Sequence, residues 1–213
     1  MKKKYKLTNE SIIFKGTTLY RIEALKDFSD VNKGDKGGFV ESEKNLSQDG
    51  TCWVYDTAKI HGNAVIFGNA TVYDDVEVWG FANIYGDAEI YGQAEIHDYA
   101  EIHDNAQVFG CAEIYGQAEI RDNASVSGNV KIYCYVTICG YAKIKSDSDY
   151  IIFKNWWSSG RFFIWTRNNN MWSVGCFYGD GKGLIEKAYE DSEQSGKEYE
   201  RVVNYVESIL EEN

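Results

Sequence analysis

Ala58-Lys59-Ile60-His61-Gly62-Asn63, Ala64-Val65-Ile66-Phe67-Gly68-Asn69 and Ala70-Thr71-Val72-Tyr73-Asp74-Asp75 open a run in which six residues repeat their chemistry, without an insertion, as far as Asp147. With Cys52-Trp53-Val54-Tyr55-Asp56-Thr57 as a degenerate first copy there are sixteen such units. Each has Ile or Val third, and from residue 58 onward Ala or Val first. Residues two apart on a strand point to the same side, so these two go inward and the second and fourth residues face water. The fifth and sixth positions are mostly Gly-Asn, Gly-Gln, Gly-Asp or Asp-Asn, residues that tolerate positive φ and mark a tight corner. A short fixed period is the sequence signature of a solenoid, and a hexad belongs to the parallel β-helix class. Four strand residues and a corner make one side of a triangle. Three sides make an 18-residue coil, and sixteen units predict a little over five coils.

The chain has 213 residues, 26% of them charged, and a net charge of −11. Residues 1–51 carry 10 basic and 8 acidic side chains, residues 52–147 carry 5 and 14, and residues 148–213 carry 7 and 11. The acidity therefore sits on the repeat. That argues against direct nucleic-acid binding by its faces, which would need cations to neutralise phosphates, and suits a basic partner or simple solubility. Proline is absent, as an unbroken ladder of donors requires. No apolar run approaches the roughly 18 residues of a membrane span, and Met1-Lys2-Lys3-Lys4-Tyr5-Lys6 lacks the apolar stretch of a secretion signal. Cysteines 52, 111, 134, 139 and 176 are odd in number and show no CxxC spacing, which points to reduced thiols in a cytoplasmic protein.

Stacking every eighteenth residue predicts what each face displays. The fourth position gives the ladders His61–Trp79–His97–Tyr115–Tyr133, Phe67–Tyr85–His103–Arg121–Cys139 and Tyr55–Tyr73–Tyr91–Phe109–Ser127–Lys145. The second position gives Lys59–Glu77–Glu95–Glu113–Lys131 and Asn83–Glu101–Glu119. Glutamates about 5 Å apart repel one another, so something must offset them. A corner ladder Asp87–Asn105–Asn123 suits amide stacking. Neither the histidines nor the cysteines have metal-ligand spacing, and no cofactor is implied.

Three segments follow: an N-terminal cap (1–51), the repeat (52–147) and a C-terminal α+β module (148–213). The cap contains a hairpin, Ser11–Phe14 and Thr17–Ile22 around Lys15-Gly16. Its glycine-rich Lys33–Gly38 stretch lacks the lysine and hydroxyl residue of a phosphate loop. The module reads as strands at Ile151–Phe153, Phe162–Trp165 and Trp172–Tyr178, then helices at 183–193 and 196–211. Ser195 with Glu198 is read as a capping box, and Tyr199, Val202, Val203, Val206, Ile209 and Leu210 as one apolar stripe. Trp156, Trp157, Trp165 and Trp172 lie in this module, and its excess of apolar surface must seat on the last coil or meet another subunit; a homo-oligomer formed through it is the expectation. Arg161 and Arg167 beside these aromatics offer an anion site.

The Ala-x-[Ile/Val] spacing resembles the left-handed parallel β-helix of the hexapeptide-repeat superfamily. The left hand is implied by that resemblance, since the usual crossover rule favours the right. The common motif has glycine directly after the aliphatic residue, whereas this chain has an aromatic there and glycine one place later. Many members of the superfamily are acyltransferases with a histidine general base between neighbouring prisms. That would give the role to His97 or His103, with Asp98 or Asp104 to orient the ring. Leu19-Tyr20-Arg21-Ile22-Glu23-Ala24-Leu25, Gly34-Asp35-Lys36-Gly37-Gly38-Phe39-Val40-Glu41, Asn45-Leu46-Ser47 and Val174-Gly175-Cys176-Phe177 are similar to small hexapeptide-repeat proteins of bacteriophages and prophages. The resemblance implies a phage-borne accessory protein and carries over no catalytic residue.

From these readings the expected function is non-enzymatic. The acidic prism, through Glu77, Glu95, Glu113, Glu101 and Glu119, engages a host protein with a basic nucleic-acid channel, in the manner of an inhibitor of a CRISPR effector. Three other classes stay open: sequestration of a small anionic nucleotide by the C-terminal module, acyl transfer, and a purely structural, polymer-forming role, against which the capped prism ends count.

Overall fold

The computed structural model describes residues 3–155 and 160–211. Trp156 and Trp157, two of the oligomer or ligand candidates, lie outside the described residues. The chain divides into two compact units, Met1–Asp149 and Tyr150–Asn213.

The first unit is a parallel β-solenoid. Sixteen two-residue strands, β4 (Trp53–Val54) through β19 (Lys143–Ile144), recur every six residues. They stack in three parallel sheets with partners 18 residues apart, such as Glu95 opposite Glu77 and Glu113, Glu101 opposite Asn83 and Glu119, and Glu89 opposite Thr71 and Gln107. The first and third residues of the units from Ala58 to Ile144 are at most 1% exposed, so alanine and branched aliphatics fill the hollow. Two earlier rungs precede the regular hexads. Phe39-Val40 of β3 (Lys36–Val40) pairs in parallel with Lys59-Ile60, and Leu46 bridges Ile66. The prism therefore has about six turns. The period missed these rungs because they reach Val54 by steps of six and eight instead of six and six. Gly37 and Gly38 let β3 lie against this coil. A Cβ on Gly37 would stand 2.3 Å from the Val54 carbonyl oxygen, and one on Gly38 2.6 Å from that of Ala58.

The corners follow from backbone sterics. From Asp56 to Gly140 the fifth residue of every unit has positive φ. Glycine reaches this region freely, and aspartate is the substitute that earns its place by hydrogen bonding. Asp74 Oδ2 accepts the Gly92 N–H at 2.8 Å, Asp98 Oδ2 that of Gly116 at 3.2 Å, and Asp122 Oδ2 that of Gly140 at 2.9 Å. Each carboxylate thus ties its corner to the next coil. The ladder read at Asp87–Asn105–Asn123 is hydrogen-bonded two coils earlier in the same column, from Thr51 Oγ1 to Asn69 Oδ1 (2.8 Å) and from Asn69 Nδ2 to Asp87 Oδ1 (3.0 Å).

Backbone N–H groups point toward later coils, as Tyr55 to the Val72 oxygen and Lys59 to the Val76 oxygen, so the first coil presents carbonyls at its open end. A buried carbonyl without a donor is costly, and the N-terminal segment supplies donors. The hairpin of β1 (Tyr5–Phe14) and β2 (Thr17–Ala24) joins the edge of β3 in antiparallel register. The Tyr5 hydroxyl donates to the Leu46 oxygen at 2.7 Å, and Arg21 Nη1 to that of Gly37 at 2.7 Å. Lys4 Nζ reaches the oxygens of Cys52 (2.9 Å), Asp49 (3.3 Å) and Gly50 (3.5 Å). At the far end, Asp149 Oδ2 accepts the N–H groups of Lys145 and Ser146 at 2.7 and 2.9 Å.

The second unit is a four-stranded antiparallel meander, β20 (Tyr150–Lys154), β21 (Phe162–Thr166), β22 (Met171–Val174) and β23 (Phe177–Gly179), followed by α1 (Gly181–Asp191) and α2 (Glu193–Glu211). The sequence reading had one strand over Trp172–Tyr178. Gly175, at φ +59, turns the chain there and makes two. The capping-box reading at Ser195 is also corrected. Helix α2 starts earlier, and Ser192 Oγ accepts the Ser195 N–H at 3.0 Å, so Ser192 caps the helix and Ser195 lies in its first turn. Glu198 pairs with Arg201 instead, at 2.7 Å. Phe163, Trp165, Trp172 and Val174 pack with Leu184, Ala188, Tyr199, Val203 and Val206 into one core.

Candidate functional site

The stacked columns form as the 18-residue spacing predicts. Trp79 lies 4.3 Å from His97, His97 5.0 Å from Tyr115, Tyr85 4.7 Å from His103, and Tyr91 4.7 Å from Phe109, all face to face. A further column occupies the sixth position at a different corner from the Asp87–Asn105–Asn123 ladder, and the sequence reading did not single it out. There Phe81 stacks on Tyr99 at 5.0 Å, and Gln117 donates to the Tyr135 hydroxyl at 3.3 Å. Phe81, Tyr99 and Tyr135 are 49, 58 and 63% exposed, and their recurrence every 18 residues was the available signal.

The histidines are held between rings above and below and between carboxylates at both nitrogens. His103 Nδ1 is 3.2 Å from Asp104, and its Nε2 is 3.0 Å from Glu119. His97 Nδ1 and Nε2 are each 3.4 Å from a carboxylate, those of Asp98 and Glu113. His61 Nε2 is 3.0 Å from Glu77. A general base needs one lone pair turned toward substrate, with the other nitrogen oriented. In His97 and His103 both nitrogens are turned to carboxylates of the same chain. The clamp suits a ring that bridges coils better than one that removes a proton.

The glutamate column is offset from within. Glu77, 8% exposed, receives Lys15 from the tip of the β1–β2 hairpin at 2.7 Å, and that ammonium also lies 4.8 Å from the Trp79 ring centroid. Glu113 pairs with Lys131 and His97, and Glu119 with His103 and Arg121. Three of the five candidate glutamates are thus in ion pairs within the chain. Glu95 and Glu101 have no ion-pair partner among the described residues, and Glu89 on the third face has a hydrogen bond from Gln107 at 3.0 Å. These three belong to consecutive units, one on each face of a single coil, and all are exposed. They form an acidic belt around the prism. Glu95 lies in an open groove of about 670 Å³ lined also by Asp75, Glu77, Gln93, Cys111 and Lys131.

Lys131 beside Glu113 holds its carboxyl below the usual range, with burial opposing and His97 assisting. A carboxyl held low in the folded state adds stability above its unfolded value, and this is lost as pH falls through the folded one. Glu113→Gln is therefore expected to be less stable than the parent at pH 7. The difference, about 0.5 kcal/mol because the pair is partly exposed, should vanish between about pH 5 and pH 3. Urea midpoints across that range check it.

In the C-terminal unit, Trp165 and Trp172 are 1 and 2% exposed, and Trp165 Nε1 donates to Asn170 Oδ1 at 2.8 Å. They serve the core and offer no stacking face to a ligand. Arg161 and Arg167 are exposed at opposite ends of β21, roughly 20 Å apart along an extended strand, so they do not converge on one anion. Arg161 lines a 340 Å³ cavity with Phe177, Leu184, Lys187 and Tyr199, and Arg167 does not. Among the described residues, no group of three or more His, Cys, Asp or Glu side chains is arranged to hold a metal ion, and no helix is long and apolar enough to cross a membrane.

No family model matches the chain. A stretch of 62 residues is 39% identical to a protein of Escherichia coli (strain K12) named uncharacterized acetyltransferase YdcK. The likeness covers 25% of this chain and 19% of that protein, so the chain matches about a fifth of the relative's length.

Proposed function

We propose that the protein is a non-catalytic binding module whose hexapeptide-repeat prism engages a basic partner through its acidic belt. The observation that carries this reading is the contrast within the glutamate columns. The chain neutralises Glu77, Glu113 and Glu119 itself and leaves Glu89, Glu95 and Glu101 exposed without ion-pair partners. Exposed carboxylates on a rigid face attract a cationic surface and speed encounter with it. A host protein with a basic nucleic-acid-binding channel is the partner class that matches, as for a phage-borne inhibitor of a CRISPR-type defence complex in the bacterial cytoplasm. Association into homo-oligomers through the C-terminal unit belongs to the same proposal.

The test is capture of partners by the tagged protein from a bacterial lysate, followed by titration of the recovered partner in rising salt. Glu89→Lys, Glu95→Lys and Glu101→Lys together should weaken binding by at least about 100-fold and flatten its salt dependence. Unchanged affinity in that triple variant would refute the reading.

Acyl transfer remains the second reading, favoured by the short likeness to the E. coli protein. It requires His97 or His103 to act as base. Acetyl-CoA-dependent acylation that falls more than about 100-fold in the doubly substituted His97→Ala, His103→Ala protein would establish it. Activity absent from the parent, or indifferent to that change, would remove it.

A further inference from the structure

Lys4 and Cys52 meet in the core at the open end of the first coil, and both are 0% exposed. Lys4 Nζ lies 3.2 Å from Cys52 Sγ. Its contacts with the Cys52, Asp49 and Gly50 oxygens hold it there, and it sits 5.3 Å from the Phe28 ring centroid. The other contacts of the sulfur are long ones to the backbone oxygens of Ser47, Asp49 and Ile66, at 3.7 to 3.8 Å. All five cysteines are free thiols. The nucleophile set against Cys52 is thus an amine.

Burial favours the neutral form of each group: it lowers Lys4, and it raises Cys52 against the opposing pull of the lysine. A neutral amine has the lone pair that an ammonium lacks. A sulfenic acid formed on cysteine condenses with a nearby nucleophile, a nitrogen among them.

We propose that a hydroperoxide converts this pair into a covalent Nζ–Sγ cross-link. With its proton passed to the Lys4 amine 3.2 Å away, Cys52 Sγ attacks the peroxide and the O–O bond breaks. The leaving hydroxide takes that proton back from Lys4 as water while the sulfur becomes a sulfenic acid. The Lys4 amine then attacks that sulfur. The N–S bond forms, the S–O bond breaks, and the leaving hydroxide takes the amine proton as a second water. One peroxide is consumed and two waters are released. Two equivalents of a thiol reverse the step, restoring amine and cysteine and leaving a disulfide of the added thiol. Access comes by local opening of the segment that carries Lys4, which lies ahead of β1 and outside its strand ladder. Once formed, the bond staples the cap to the first coil across a loop of roughly fifty residues, which removes freedom from the unfolded chain.

The full-length protein is treated with hydrogen peroxide, digested and read by mass spectrometry. A Lys4–Cys52 linked peptide lighter by about 2 Da than its parts is expected, reversed by dithiothreitol, with cleavage after Lys4 lost. The thermal midpoint of the treated protein should rise by roughly 5 °C or more, and return on reduction. Lys4→Arg keeps N–H donors for the carbonyls but has no free amine lone pair, so it should yield Cys52 sulfinic acid and no link. Cys52→Ser should abolish both the link and the shift, with its circular dichroism confirming the fold. The proposal is overturned if Cys52 proceeds to sulfinic acid in the parent, or stays a thiol while exposed Cys111, Cys134 and Cys176 are oxidised.

Discussion

Truncating Ile102 to alanine should lower the stability of the first unit by about 3–5 kcal/mol, whereas Glu101→Ala, one residue away, should change it by less than about 0.5 kcal/mol. Ile102 is fully buried and stands in register between Ile84 and Ile120. Its removal takes away the transfer energy of three carbons and leaves a cavity. The walls of that cavity are backbone rungs bonded to the coils above and below, such as Tyr85 N–H to the Ile102 oxygen and His103 N–H to that of Ile120. Such walls cannot collapse inward without breaking the ladder, so the cost belongs at the upper end for its kind. Glu101 points the other way and is exposed. Urea denaturation of the two variants separates the cases. Equal effects would mean that the second and third residues of the unit do not face opposite sides.

A second comparison isolates the corner. Gly92 and Gly16 both have φ +82, so alanine at either meets the same left-handed strain, about 1 kcal/mol. They differ in space. A Cβ on Gly16, in the hairpin turn, has nothing within 4 Å, while one on Gly92 stands 2.9 Å from the nitrogen of Gly110 and 3.0 Å from its oxygen. Those atoms are backbone and cannot swing aside, so overpacking adds about 1–3 kcal/mol. Gly92→Ala is therefore expected to cost about 2–4 kcal/mol and Gly16→Ala about 1 kcal/mol. Similar losses in both would show that the coils are not in contact at their corners.

The candidate site was legible only in its columns. The 18-residue spacing placed Glu77, Glu95 and Glu113 opposite one another and His97 between Trp79 and Tyr115, because a parallel stack in constant register converts sequence distance directly into height. It did not say which carboxylates are neutralised. Lys15 reaches Glu77 from 62 residues away, through a hairpin whose placement depends on the edge of β3. Lys4 carried no sequence signal for burial, since a lysine near a chain end among three others reads as solvated. In the C-terminal unit the stripe Tyr199, Val203 and Val206 was readable from period 3.6. The functions of Trp165 and Trp172 were not, because a tryptophan in a strand reads alike whether it meets a ligand or a core.

By itself, the sequence determined the prism: the hexad states which residues face in, the glycine and aspartate corners state where the chain turns, and the constant period states the register. All three are local properties, repeated until they close a coil. Only the tertiary structure decided which charges remain unpaired, how both histidine nitrogens are occupied, and what satisfies the carbonyls of the first coil. The Asp98 and Asp104 contacts at Nδ1 were legible as neighbours in the chain. The Glu113 and Glu119 contacts at Nε2, the Lys15–Glu77 pair and the donors to the first coil come from segments farther apart in sequence, which no local pattern encodes.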